Sequence, residues 1–350
     1  MIFPPILYLL ALAVAFATSA LAVPAWRKWC LRAGLVDDPG GRKIHRESIP
    51  LAGGLGITTA LLAPALLAVL LLWWRNPAFS EQAAQPGSEP HSFLLSHFAF
   101  LDPHTIRLLV HGLNRRALEL TAILVGAAGM LLLGLFDDKY ELRPATKFSG
   151  QLLVALLVAG AGARITLFVP NPIFSYAITI LWILTVTNAF NFMDNMNGLC
   201  AGLGIIGAFY FGTISALAGQ YLVALIAFLA CGALLGFLPY NFPRARVFLG
   251  DSGSHLTGYL LAVLAILPHF YTPKHPRILA VLSPLLILAV PLGDLVRVVL
   301  FRWRNGRPFY LGDTNHLSHR LVQFGLSPAW TVMLIWLLAA LLGALALVLR

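Results

Sequence analysis

The chain is a succession of apolar windows, each about 20 residues long, and that pattern constrains everything else in it. The windows fall near 4–26, 51–74, 120–136, 148–167, 173–190, 200–217, 221–240, 255–270, 278–301 and 328–349. About 20 helical residues cross the roughly 30 Å hydrocarbon core of a bilayer. In lipid, every backbone N–H and C=O must find an internal partner. The expected fold is therefore all-α: a single polytopic membrane domain over residues 1–350, with about ten transmembrane helices. Composition agrees, at 59% hydrophobic and 11% charged. The polar stretches are too short for a separate soluble domain. Cys30, Cys200 and Cys231 lack metal-type spacing and read as small apolar filler.

The basic residues orient the bundle. The first window ends in small residues, as a cleaved signal would, but Arg27, Lys28 and Arg32 follow it. A signal peptide carries its charge in front, so the expectation is a retained span and both termini outside. Sixteen of the 24 Lys and Arg then fall in, or at helix ends beside, the loops 27–50, 137–147, 191–199, 241–254 and 302–327. The positive-inside rule makes that face cytoplasmic. Residues 75–119 become an extracytoplasmic loop with room for a short helix and no clustered functional pattern. Net charge is +10, but no soluble basic module is present, so nucleic acid is excluded as a partner.

Acids are scarce, 14 in all, and several stand at the mouths of apolar windows: Asp137-Asp138, Asp194, Asp251 and Asp294. Charge at bilayer depth costs several kcal/mol, on the order of the translocon scales, and usually marks function. Their repeated placement suggests one shared site holding a divalent cation. Two adjacent carboxylates cannot both stay ionised in a dry site without a cation nearby. Mg²⁺ suits them, needing only one or two carboxylates beside a substrate phosphate.

Five polar segments lie on the expected cytoplasmic side. The first holds Arg42, Lys43 and His45, suited to phosphate, and Gly53-Gly54, whose amides could approach an anion. The second is Gly134-Leu-Phe-Asp137-Asp138-Lys139, followed by Lys147. In the third, Asn188, Asn191 and Asp194 recur every three residues along one helical face, with Asn197-Gly198 ending the helix. Asn amides can read the edge of a base or sugar, and Asp194 can join a metal. The fourth is the Gly250-Asp251-Ser252-Gly253 turn, where Asp251 could ligate metal or cap a helix. The fifth carries Arg304, His316, His319 and Arg320. Among so many arginines, diphosphate contact is a better reading than zinc. Together these are acids for a cation, basic groups for phosphates and Asn for a nucleoside: the inventory of a membrane enzyme using a nucleotide-activated substrate.

From Asp37 to Leu321 the motifs resemble the polyprenyl-phosphate N-acetylhexosamine-1-phosphate transferases. That family includes the enzymes that start O-antigen, enterobacterial common antigen and teichoic acid linkage synthesis. It also includes the phospho-MurNAc-pentapeptide transferase of peptidoglycan. The resemblance implies that Asp137 and Asp138 are the paired catalytic aspartates and Lys147 the downstream lysine. Asn188, Asn191 and Asp194 match the Asn-rich nucleotide motif, and Asp251 the Mg²⁺-ligating aspartate, with Asp194 beside it. His316 and His319 match two members of the histidine cluster and are expected to be catalytic. Arg42, Lys43, His45, Asn197, Arg304 and Arg320 complete the expected substrate-binding set.

Two positions depart from the family pattern: Asn197 where Asp is usual, and Ser318 where a further His is usual. Ile49-Pro-Leu-Ala-Gly-Gly54 is more similar to the branch using simple UDP-sugars than to the peptidoglycan enzyme. The implied reaction is Mg²⁺-dependent, with Mn²⁺ an alternative. It moves a phospho-N-acetylhexosamine, GlcNAc-1-phosphate foremost, from UDP to undecaprenyl phosphate in the inner membrane and releases UMP. Phospho-MurNAc-pentapeptide transfer is the alternative within the family, and a transporter the alternative outside it. Against a transporter, the polar residues gather at one face instead of lining the midplane. The sequence leaves open a homodimer, and direct attack as against an aspartyl-phosphate intermediate.

Overall fold

The computed structural model describes residues 4–39, 47–75, 103–167, 169–268, 270, 278–308 and 315–350. Its helices are α1 (Ile6–Ala33), α2 (Gly53–Arg75), α3 (Pro103–Arg115), α4 (Ala117–Tyr140), α5 (Pro144–Gly160), α6 (Pro172–Met193), α7 (Leu199–Leu217), α8 (Tyr221–Asn241), α9 (Gly250–Ile266), α10 (Ser283–Ile287), α11 (Ala289–Arg304), α12 (Leu317–Gln323) and α13 (Pro328–Leu349). Between α1 and α2, Val36–Asp37 (β1) and Ile49–Pro50 (β2) form a two-residue antiparallel ladder. Among the described residues the all-α expectation holds with that one exception.

Among the described residues, seven helices are long and apolar enough to cross a membrane. The expected span 278–301 is broken. A 3₁₀ turn (Ile278–Leu282) and α10 are followed by α11 at a bend of 70°. Pro291 explains the break: it has no N–H for the Ile287 carbonyl, and its ring crowds that carbonyl. The windows at 148–167 and 255–270 become α5 and α9, both starting earlier than expected and only 17 residues long. The third polar motif also differs from expectation. α6 stops at Met193, and Gly198, at φ +78°, opens α7 instead of closing α6. Within the former loop 75–119, α3 is amphipathic. Leu109 is buried, whereas Arg107, His111, Asn114 and Arg115 are exposed along one face.

α9 is the axis of the bundle. Every residue from Ser252 to Ala265 is buried, against α4, α6, α2 and α7. A helix buried all round can stay apolar all round. The outer helices instead turn Leu21, Leu66, Leu118, Leu153, Ile173 and Val348 outward, each more than half exposed, as lipid-facing surfaces require. The three cysteines are free and buried.

Candidate functional site

The site grows from the first turn of α9. A Cβ on Gly134 would lie 2.3 Å from the Ser252 backbone, so glycine there lets α4 meet the start of α9. That approach delivers Asp138. Its Oδ1 accepts from the Asp251 amide at 2.7 Å and its Oδ2 from the Ser252 amide at 3.1 Å. Asp138 therefore caps α9 from another helix, and the macrodipole adds to the attraction. Gly250, at φ +73°, makes the turn that exposes those amides.

Asp137 points elsewhere and is buried. Its Oδ1 accepts from the Leu142 amide at 2.8 Å, which fixes the tight turn after α4, and its Oδ2 pairs with Lys147. Lys147 also reaches Asp251 Oδ2 at 3.1 Å. The other oxygen, Asp251 Oδ1, accepts from Asn191 Nδ2 at 2.7 Å, and the same amide donates to Ser254 Oγ at 3.0 Å. Behind this layer, Asn188 donates to Gln151 Oε1 (2.7 Å) and to the Leu184 carbonyl (2.8 Å). Gln151 also faces buried His255.

Asp194, just past the end of α6, is the exception. Its carboxylate makes no hydrogen bond or ion pair among the described residues. Loss of hydration raises its pKa well above the usual carboxylate range, and the charges of Asp251 and Asp138 add to the rise. Asp194 and Asp251 offer hard oxygen donors whose charges act on each other, and Asp194 has no hydrogen bond or ion pair among the described residues. That donor set fits Mg²⁺, which commonly takes one or two carboxylates and completes its shell with water and phosphate. Among the described residues no three His, Cys, Asp or Glu side chains form a protein-only cage.

A second group faces this one across the end of α6. Buried Asp294 on α11 accepts from the Leu317 amide at 2.7 Å and meets His316 Nδ1 at 2.6 Å. The expectation that Asp294 shares the cation site with the other acids is thus corrected: it pairs with an imidazole. Phe192 stands edge-on to His316 at 5.7 Å and carries the buried Arg302 guanidinium over its ring at 5.0 Å. Ser318 donates to Asn195 Oδ1 at 2.7 Å, tying α12 to the turn after α6. Arg297 bonds the Asn315 carbonyl and lies 3.5 Å from Asp294. Beside it opens a cleft of about 210 Å³, lined by Arg297, Leu300, Phe301, Arg304, Asn315 and Arg320.

The structure thus gathers Asp137, Asp138, Lys147, Asn191, Asp194, Asp251, His316, Arg304 and Arg320 at one end of the bundle. His319 stands next to His316, ring centroids 6.3 Å apart. Arg42, Lys43 and His45 lie outside the described residues. Three readings change. Gly53 and Gly54 do not offer their amides to an anion: these already donate to the Phe248 and Leu249 carbonyls, and the glycines serve close packing on Ser252 and Leu249. Asn188 spends both its N–H groups inside the protein. Asn197 is exposed and makes one long contact, 3.4 Å, to the Pro243 carbonyl. Sequence reasoning gave Asn195 no role of its own, read Arg297 only as one of the basic residues of the fifth segment, and missed the partner of Asp294. The i, i+3 pair Asp294 and Arg297 was the available signal.

A bundle of membrane helices with chemistry gathered at their ends defines an integral membrane protein that works at the membrane surface. Residues 120–269 match the glycosyl transferase family 4 model. A "probable undecaprenyl-phosphate N-acetylglucosaminyl 1-phosphate transferase" of Bacillus subtilis is 30% identical over 354 residues, covering 98% of this chain and 86% of that one. A decaprenyl-phosphate N-acetylglucosaminephosphotransferase of Mycobacterium leprae is 32% identical, covering 85% and 73%. An Escherichia coli undecaprenyl-phosphate alpha-N-acetylglucosaminyl 1-phosphate transferase is 25% identical, covering 91% and 77%. The chain belongs to this family of polyprenyl-phosphate N-acetylglucosaminyl-1-phosphate transferases and is an enzyme.

Proposed function

We propose that this enzyme transfers GlcNAc-1-phosphate from UDP-GlcNAc to a polyprenyl phosphate, undecaprenyl phosphate foremost, releasing UMP. The observation that carries the reading is a division of charge. Near α9 four carboxylates (Asp137, Asp138, Asp194, Asp251) face one ammonium (Lys147). On α11 and α12 four guanidiniums (Arg297, Arg302, Arg304, Arg320) accompany one carboxylate (Asp294). Among the described residues the first half is short of positive charge and the second short of negative charge. A diphosphate with a divalent metal satisfies both, and the relatives' names supply the sugar and the lipid.

Asp251 and Asp194 would hold Mg²⁺, which when bound offsets charge on the phosphoryl oxygens. The lipid phosphate attacks the β-phosphorus of the donor, and the bond from that phosphorus to the oxygen bridging it to the α-phosphorus breaks, freeing UMP. Phosphoryl transfer asks mainly for positioning and charge neutralisation. A phosphate monoester, with a second pKa near about 6, is already largely dianionic at neutral pH. Asp138 therefore need not act as a base, and its hold on two backbone amides supports a positioning role in direct attack. Arg304 and Arg320, without partners among the described residues, are placed to take phosphate. Basic residues concentrate at this end, which supports a cytoplasmic orientation of the site in the plasma membrane.

The test is purified protein with undecaprenyl phosphate and a panel of UDP-sugars, with and without Mg²⁺, scored by UMP release. Metal-dependent UMP with UDP-GlcNAc is expected. Release only with the MurNAc-pentapeptide donor would move the chain to the other branch, and no release with any donor would sink the reaction.

A further inference from the structure

We propose that Asp294 is the positioning residue for His316, holding the imidazole so that Nε2 alone is presented to the substrate phosphates; this rests on the transfer reaction proposed above. Asp294 is buried at 3% exposure and His316 at 5%. The Asp294 carboxylate divides its two oxygens. Oδ2 lies 2.6 Å from His316 Nδ1, and Oδ1 accepts the Leu317 amide at 2.7 Å. A carboxylate cannot donate, so the proton of this bond lies on Nδ1. Nδ1 is then consumed, and Nε2 is the ring nitrogen left for a ligand.

The ring has little freedom to turn away. Phe192 meets it edge-on at 5.7 Å, and the residue after it is pinned to the same carboxylate. His316 also sits at the N-terminal boundary of α12, so Asp294 sets both the start of that helix and the imidazole's tautomer. The carboxylate lies on α11, whose direction follows from the 70° break before it. Without that bend, α11 would carry Asp294 onward along the line of α10.

Asp294→Asn separates tautomer control from helix capping. The amide oxygen can still accept from Leu317, but the amide nitrogen now faces Nδ1 and favours the proton on Nε2. By analogy with other second-layer partners of functional imidazoles, kcat should fall about 10–100-fold, with both KM values little changed. His316→Gln should show a loss of at least that size. Adding Asp294→Asn to His316→Gln should then cost less than about twofold further, because the two act as a unit. If the two losses multiply, or if Asp294→Asn retains near-wild-type kcat, the proposal is overturned.

A readout independent of activity is the ¹⁵N spectrum of histidine-labelled protein in detergent, with His316 assigned by its loss in His316→Gln. Wild-type His316 should carry a proton on Nδ1; a bare Nδ1 overturns the proposal even if Asp294→Asn does not fold. If the wild type releases no UMP, the transfer reaction fails, while the spectrum still decides whether Asp294 sets the ring.

Discussion

The two halves of the site treat buried charge in the same way with opposite signs. In the half built on α4, α5, α6 and α9, Asp138 is saturated by two backbone amides and Asp137 by an amide and Lys147. Asp194 has no partner among the described residues. In the half built on α11 and α12, Asp294 is saturated by Leu317, His316 and Arg297, and Arg304 and Arg320 have no partner among the described residues. A buried charge with internal partners holds the fold, because removing one partner strands the other. A charge without them is held for something that arrives. The difference between the halves is the sign of what must arrive: a cation in one, an anion in the other.

The largest expected effect falls on Asp251, which belongs to both categories. It is bound by Asn191 and Lys147 and still faces Asp194. Asp251→Asn should lower kcat by about 10²–10³-fold, the rate equivalent of several kcal/mol of metal-assisted charge stabilisation. Steady-state UMP release across a Mg²⁺ titration checks it, and an unchanged Mg²⁺ midpoint would return the metal to Asp137.

Asp138→Asn tests the partnered class. One of its two amide contacts becomes a repulsion at a helix N-terminus. The expected loss is about 1–3 kcal/mol of stability, read by thermal unfolding in detergent. The Mg²⁺ midpoint should move less than in Asp251→Asn. Full stability with abolished transfer would make Asp138 a base and not a cap.

These two variants also show what was legible beforehand. The windows, the helix class and the polar end of the bundle follow from composition and spacing, because lipid forces local hydrogen bonding and leaves little choice. Pairings between distant segments do not follow. Asp137 and Asp138 are adjacent in the chain and look like one site. On a helix, however, neighbours point about 100° apart, so one turns to Lys147 and the other to the amides of α9. The role of Gly54 was hidden for the same reason, since its amide is spoken for by Leu249, far along the chain. The break in the ninth span could have been read from Pro291. The link from Asp294 to His316, 22 residues apart, could not.

Asp194→Asn tests the open class in the acidic half. The apparent Mg²⁺ affinity should fall about tenfold, the lower end of what metal-site changes cost. Stability in the metal-free protein should rise. Desolvation holds this carboxyl protonated to higher pH in the folded protein than in the unfolded chain. The folded state therefore has its full advantage at low pH and loses it as pH climbs through the raised value. Unfolding in EDTA over a pH series should show that decline in the wild type and a flatter curve in Asp194→Asn. A variant less stable at neutral pH would mean that the carboxylate has a structural partner after all.

The smallest effect should come from Asn197→Ala. Asn197 stands where the resemblance expects an acid, yet it is exposed, and its one contact, to the Pro243 carbonyl, is long at 3.4 Å. The turn that carries it is anchored without it, by the Gly198 amide on buried Asn241 at 2.6 Å. Exposed substitutions away from caps and networks usually stay within about 0.5 kcal/mol, and kcat/KM for the UDP-sugar should change by about twofold or less, since that energy corresponds to little more. A tenfold loss would place Asn197 on the substrate, and it would extend the open part of the acidic half beyond Asp194 toward the sugar.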